Sequence, residues 1–324
     1  MNASLREKLY QMFITGCGEY TSQALKDGLG GVIFFSKDIK SKDQFANLIT
    51  QLKQDAIIPP FLSIDQEGGR VERTENIHNG KKYLSAKYAF EKGLPYLKQQ
   101  TENISKELKS YGINLNFAPC IDTNTNPNNP IIGERAFSSN PDEVIQAEKI
   151  VSNTYKQNGI IPCVKHYPGH GDANADSHLT LPKIDLSLED MEKIHIKPFK
   201  AAIKNGIDMI MIAHLHCTCF DKNQIPASLS KNAISYLRNN LNYNEIIISD
   251  DMVMKGVAQF GETKACLMAI NAGVNMFIYR NCDNKTINII ETIYQKSLKD
   301  DKLKEMINLS YDKILKLKNK YLNN

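Results

Sequence analysis

The sequence predicts an α/β chain folded as a single-domain (β/α)8 TIM-type barrel, on three observations. Short apolar runs alternate with helix-period stretches about eight times. Ionisable residues stand directly after five of those runs, where a parallel barrel places its chemistry. No G-x-G-x-x-G turn follows an early run, which argues against a doubly wound sheet. The 324 residues could make one large barrel or two ordinary domains. No linker-like break in composition interrupts them, so the expected domain spans 1–324.

Taken in order, the strand candidates begin with a weak one near Met12 to Gly16. Clearer ones follow at Gly31 to Phe35, Pro60 to Asp65, Ile113 to Pro119, Ile161 to His166, Asp208 to His214, Glu245 to Asp250 and Gly273 to Tyr279. Helix signals lie between them. Asn140-Pro141 offers a cap and a first-turn proline before a helix from Asp142 to Asn158, stopped at Gly159. Ser187 with Asp190 three residues on resembles a capping box, opening a helix to about Lys204 that stops at Gly206. The Lys-rich segment 285–324 carries Ile287, Ile290, Ile293, Ile314, Leu317 and Tyr321 at helical spacing, and reads as terminal helices packed on the body.

Composition narrows the function. Hydrophobic residues make up 42% and charged residues 23%, as in soluble globular proteins, which excludes disordered and collagen-like chains. Forty basic against 36 acidic side chains leave +4, too little over this length to argue for nucleic acid. Seven scattered cysteines and a charged N-terminal stretch without an apolar signal core point to a reduced, cytoplasmic protein. No run of about 18 apolar residues suggests a membrane span.

The ionisable strand ends are Asp65, Asp122, Lys165-His166, His214 with His216, and Asp250-Asp251. A single loop aspartate is ordinarily solvated; repetition at one end of successive strands makes a site the better reading. The stretch KHYPGHGDANADSHLTLP (165 to 182) concentrates three histidines after an apolar run. Two chemistries compete for it. One is a metal site from His166, His170, Asp172 and His178. The other is proton transfer by a histidine oriented by an aspartate, for which Asp176 and His178 have suitable spacing. Gly169 and Gly171 flank His170, so this loop is expected to be mobile and to close over a ligand. Asp250 ends a run of isoleucines, a rigid placement that suits a nucleophile; Asp251 should point elsewhere.

SIDQEGGRVER (63 to 73), NFAPCIDTNTNPNNPIIGERAF (116 to 137), KHYPGHGDANADSH (165 to 178), PASLS (226 to 230) and SDDMVMKG (249 to 256) together resemble the β-N-acetylhexosaminidases of glycoside hydrolase family 3. The resemblance covers about residues 10 to 280. It implies a barrel that releases terminal β-linked N-acetylglucosamine with retention of configuration and needs no metal or other cofactor. By motif match Asp250 is the nucleophile, His178 the acid/base and Asp176 the partner orienting that histidine. Asp65, Arg73, Arg135, Lys165 and His166 are the implied sugar-binding residues. A short chain of this kind is similar to the bacterial enzymes of peptidoglycan recycling, with N-acetylglucosaminyl-1,6-anhydro-N-acetylmuramic acid and its peptides as substrate. The partner expected is thus this muropeptide, with no nucleic acid or membrane, and the chain is expected to act as a monomer. The rivals are a metal-dependent amidohydrolase-like barrel built on the His-rich loops, and an enzyme of the same family that uses phosphate in place of water. Against the first, packing and hydrogen bonding at the barrel rim account for His214 and His216, and Cys217 and Cys219 lack a second cysteine pair.

Overall fold

The computed structural model describes residues 3–78, 82–173 and 181–322. Eleven strands are formed among them: β1 Phe13–Gly16, β2 Gly31–Phe34, β3 Phe61–Ile64, β4 Leu115–Asn116, β5 Ile161–Pro162, β6 Val164–Tyr167, β7 Lys183–Ile184, β8 Met209–Ile212, β9 His216–Cys217, β10 Ile246–Asp251 and β11 Met276–Tyr279. Nine pair in parallel in the order β5-β4-β3-β2-β1-β11-β10-β8-β6. The two ends of that order, β5 and β6, are successive halves of one chain segment, separated only by Cys163. Eight strand positions therefore close on themselves, as the eight expected runs require. The small pair β7 and β9 lies outside the barrel sheet.

Two expected strands are altered, and each contains a proline. The run expected over Ile113 to Pro119 is regular only at Leu115–Asn116; Pro119, with no N–H for the ladder, limits only its far end. The run expected over Ile161 to His166 breaks after Pro162 for the same reason. Cys163 bridges the break: its N–H is shared between the Asn116 and Ala118 carbonyls, each at 3.1 Å. The Lys165 N–H then donates to Pro119 O (3.2 Å) and the Ile121 N–H to Lys165 O (2.8 Å), so β6 stays attached to the chain beyond β4.

Helices cover the outside. Asn140 accepts from the Asp142 N–H (2.9 Å) at the start of the helix Pro141–Gln157, close to the expected bounds. Ser187 accepts from the Asp190 N–H (3.1 Å), but the helix behind it is not regular. A wide π turn occupies Met191–His195 before the helix Ile196–Lys204. Pro198 cannot donate to the Ile194 carbonyl; that carbonyl instead accepts from the Thr123 hydroxyl at 3.2 Å. The chain ends in helices Asn284–Ser297 and Asp301–Tyr321. Ile290, Ile293 and Ile314 are fully buried there and Leu317 nearly so, while Ile287 and Tyr321 are only partly buried. No helix among the described residues is long and apolar enough to cross a membrane.

Strand β10 carries Asp250 and is held on both sides. Ile248 is fully buried and aligned with Met211 on β8 and Met276 on β11. Ile248→Ala is expected to destabilise the fold by about 2–5 kcal/mol through lost burial and a residual cavity. Denaturant unfolding measures this; a cost below about 1 kcal/mol would show that β10 is not packed as described.

Candidate active site

The C-terminal ends of the barrel strands surround a cavity of about 210 Å3. One water takes roughly 10–15 Å3 of such space, so the cavity has room for about 14–20 waters and for one sugar ring. Asp65, Arg73, Arg135, Lys165, His166 and Asp250 all line it. Six of the eight predicted site residues thus converge on one space. The other two, Asp176 and His178, lie outside the described residues.

On one side of the cavity sits a buried ion network. Lys165 stands on β6 with only 2% of its side chain exposed, its Nζ 2.7 Å from Asp65 Oδ1 and 2.5 Å from Glu67 Oε1. Arg135 binds Glu67 in a two-pronged contact, Nε to Oε2 at 2.9 Å and Nη2 to Oε1 at 2.8 Å. Burial works against charge on Glu67, but Arg135 and Lys165 hold its carboxyl well below the usual range. Burial likewise opposes charge on Lys165, and Asp65 with Glu67 overcomes it and raises that ammonium.

His166 extends the network. Arg135 Nη2 lies 3.3 Å from its Nε2. A guanidinium cannot accept, so Nε2 accepts and Nδ1 carries the hydrogen, which it donates to Asp122 Oδ2 at 2.7 Å. Asp122 also accepts the His170 N–H (2.6 Å) and the Cys120 thiol (3.3 Å). Despite full burial, the His166 ring and the bonds around it keep the Asp122 carboxyl below its ordinary range.

Across the barrel stands Asp250. In the strand order the β3 and β10 positions are separated by four places out of eight, so Asp65 and Asp250 face one another over the cavity. Burial alone would push the Asp250 carboxyl up; His166, His214, the Asp251 N–H and Lys165 instead hold it below the usual value. That N–H donates to Asp250 Oδ1 at 2.7 Å. The result is an ionised carboxylate on a rigid strand at the cavity wall, which can attack an electrophilic carbon. Asp251, expected to point elsewhere, lines the same cavity and takes a salt bridge from Arg280 at the end of β11.

The histidines after β8 are structural. His214 Nε2 lies 3.1 Å from the Asp251 carbonyl and must donate to it, so Nδ1 accepts from the Ser228 hydroxyl at 2.7 Å. His214 therefore holds the backbone beside the nucleophile candidate. His216 Nε2 donates to Asp221 O at 2.8 Å. Cys217 and Cys219 are free thiols.

The donor atoms of His166, His170 and Asp172 do not gather as a metal set among the described residues. Asp172 accepts from Thr125 (2.9 Å), and the His166 and His170 rings are 6.0 Å apart. The described residues that do bring donors together are Cys120, Asp122 and His166, within 4.8 Å of one another. All three are already joined to one another through the Asp122 carboxylate, burial pushes the Cys120 thiol well up, and Arg135 sits against the same histidine.

The glycines around His170 have a different role from the one their flexibility suggests. A Cβ on Gly169 would meet the His195 Cβ at 2.6 Å, and one on Gly171 would meet Thr123 O at 1.7 Å. They permit close packing of residues 169–171, with His170 only 3% exposed, so these glycines are no argument for a hinge. The remainder of the proposed closing loop, 174–180, lies outside the described residues.

Sequence reasoning missed Glu67, Asp122 as the partner of His166, and Arg280. Glu67 follows Asp65 by two residues, the spacing that puts both on one face of an extended segment. Arg280 directly follows an apolar strand, the same signal that singled out Asp65 and Asp250.

His170 provides a pH test. Burial pushes it down to about 4, and neither ring nitrogen has a hydrogen-bond partner. Its folded value lies below its unfolded one, so its contribution to stability is present above about pH 6.5 and is lost as pH falls toward 4, by about 3 kcal/mol in total. Between pH 7 and 4 the wild type should therefore lose about 3 kcal/mol more stability than His170→Gln. Parallel losses in denaturant titrations would contradict this.

Comparison with known proteins shows the family to which the barrel belongs. The sequence model described as the glycosyl hydrolase family 3 N-terminal domain matches residues 4–317. Beta-hexosaminidase A of Pseudoalteromonas piscicida is 32% identical over 320 residues, covering 90% of this chain and 53% of its own length. The chain thus spans about half of that relative. Beta-hexosaminidase of Tolumonas auensis is 34% identical over 261 residues, covering 79% of this chain and 76% of its own. A family 3 β-N-acetylglucosaminidase structure from Paenibacillus sp. superposes with a TM-score of 0.92 at 28% identity, covering 98% of this chain and 63% of that one. The β-N-acetylhexosaminidase structure from Beutenbergia cavernae shares the fold, with a TM-score of 0.91 at 22% identity and coverage of 98% and 99%. With its closed barrel and its converging carboxylates and cations, this chain belongs to glycosyl hydrolase family 3.

Proposed function

We propose that the chain, acting as one domain, hydrolyses terminal β-linked N-acetylglucosamine with retention of configuration, from N-acetylglucosaminyl-1,6-anhydro-N-acetylmuramic acid and its peptides in peptidoglycan recycling. The observation that carries this reading is the ionised Asp250 facing the Asp65-Lys165-Glu67-Arg135 network across a sugar-sized cavity. The naming of its relatives as β-hexosaminidases supports the choice of sugar. The muropeptide aglycone, a cytoplasmic location and a monomeric state belong to the same proposal, supported by the sequence resemblance and composition.

In the proposed mechanism Asp65 accepts from sugar hydroxyls, while Arg73, Arg135 and Lys165 donate to hydroxyl or amide oxygens. Arg73 suits this role: its Nε is buried without a partner, and it lines the cavity. Such contacts hold the anomeric carbon within reach of Asp250. Asp250 attacks that carbon, its electron pair forming the new C–O bond as the glycosidic C–O bond breaks. His178, its cation stabilised by Asp176, gives its proton to the departing oxygen. The neutral imidazole next takes a proton from water, whose oxygen displaces Asp250 and restores the β configuration. No step draws on a metal.

Asp250→Ala should reduce turnover of an aryl N-acetyl-β-glucosaminide by roughly 10³-fold or more, whereas His178→Ala should slow poor leaving groups by about 10²-fold or more and activated ones far less. Equal damage with both leaving groups would contradict the acid role. In an NMR time course the β anomer should form first. An α anomer at the outset would remove Asp250 as nucleophile.

A further inference from the structure

We infer that Arg280 is a specificity-determining residue, binding a carboxylate carried by the group on the far side of the cleaved bond. The inference rests on the proposed anhydromuramyl substrate and names the feature of its peptide-free form which the site recognises.

Arg280 directly follows β11, the strand paired to β10, and lines the same cavity as Asp250. Its Nε donates to Asp251 Oδ2 and its backbone N–H to Asp251 Oδ1 at 3.3 Å. The guanidinium is thereby pinned, yet its two terminal amino groups make no other hydrogen bond among the described residues. It is also far more exposed than the paired cations of the site, with 43% of its side chain accessible against 12% for Arg135 and 2% for Lys165. Those two cations are paired inward with Asp65 and Glu67.

N-acetylglucosamine is uncharged, so hydroxyl and amide partners suffice for it, and a pinned guanidinium with free forked donors is surplus to its recognition. The geometry of those donors matches a carboxylate. Position identifies which carboxylate. The network that binds hydroxyls stands at the β3-to-β6 side of the barrel, and β10 and β11 form the opposite side. With the hydroxyls held at the first side, Asp250 attacks the anomeric carbon from the cavity wall, so the aglycone departs from the opposite face toward the open mouth, the side to which the half-exposed Arg280 guanidinium is accessible. In a peptide-free anhydro-N-acetylmuramic aglycone the lactyl carboxylate is the negative charge nearest the cleaved bond; in the peptide-bearing forms it is an amide, so Arg280 favours the peptide-free disaccharide.

The test compares three substrates: the muramyl disaccharide with a free lactyl carboxylate, the same disaccharide as its carboxamide, and neutral N,N′-diacetylchitobiose. Removing Arg280 also strands Asp251, which affects every substrate, so the readout is a ratio taken on one enzyme preparation. The wild type should favour carboxylate over carboxamide by about 10-fold in kcat/KM. R280Q should bring that ratio to about 1, and R280K should keep part of the preference. The wild-type preference should shrink as salt is raised, because the charge is half-exposed. A wild-type ratio near 1, or a ratio unchanged in R280Q, overturns the assignment. Faster wild-type cleavage of diacetylchitobiose than of either muramyl disaccharide overturns the muropeptide reading instead, a result independent of the variants.

Discussion

The mouth of this barrel is organised by the contact of Lys165 with Asp65 and Glu67, 2.7 and 2.5 Å away. An ammonium as buried as this one is costly to remove from water, and only close opposite charge offsets the cost. Glu67 in turn requires Arg135, Arg135 abuts His166, and His166 is turned by Asp122. Side chains from three neighbouring strand positions are thereby locked into one polar wall. The wall exists because the fifth strand position is broken after Pro162 and resumes at Val164, which brings Lys165 and His166 to the cavity.

The opposite wall is built differently. Asp250 is carried by a strand whose interior is a run of buried isoleucines, and its ionisation is maintained by His166, His214 and Lys165 acting against burial. His214 resembles a metal ligand by its sequence context, yet it is consumed by Ser228 and by the Asp251 carbonyl. Its effect on the site is to steady the backbone of the nucleophile candidate. A preorganised carboxylate facing a preorganised set of donors is an arrangement in which little rearrangement is needed as charge develops on the sugar.

Much of the fold and of both walls is legible in the sequence because apolar runs and the charges that end them are local signals. Asp65, Lys165, His166 and Asp250 are each identified by standing at the end of such a run, and all four line the cavity. Arg73 lies in a loop and Arg135 in a short 3-10 turn, and both are reached only through resemblance to a family. Pairing is not legible: nothing local says that Glu67 would turn back to meet two cations, or that Asp122 would orient His166. Glycine misleads in one place. Gly169 and Gly171 suggest flexibility, whereas their missing side chains make room for His195 and the Thr123 carbonyl. Proline effects are visible in the sequence, at Pro119, Pro162 and Pro198, but their consequences depend on which neighbouring carbonyl or N–H is left without its usual partner.

The central claim is that the Asp250 carboxylate bonds covalently to the anomeric carbon. A 5-fluoro N-acetylglucosaminyl fluoride, whose ring fluorine slows breakdown of a glycosyl-enzyme, tests it directly by intact-protein and peptide mass spectrometry. The account predicts one added sugar per chain, mapped to the peptide containing Asp250 and absent from Asp250→Ala. A label on another residue, or continued turnover with no covalent adduct, would contradict it.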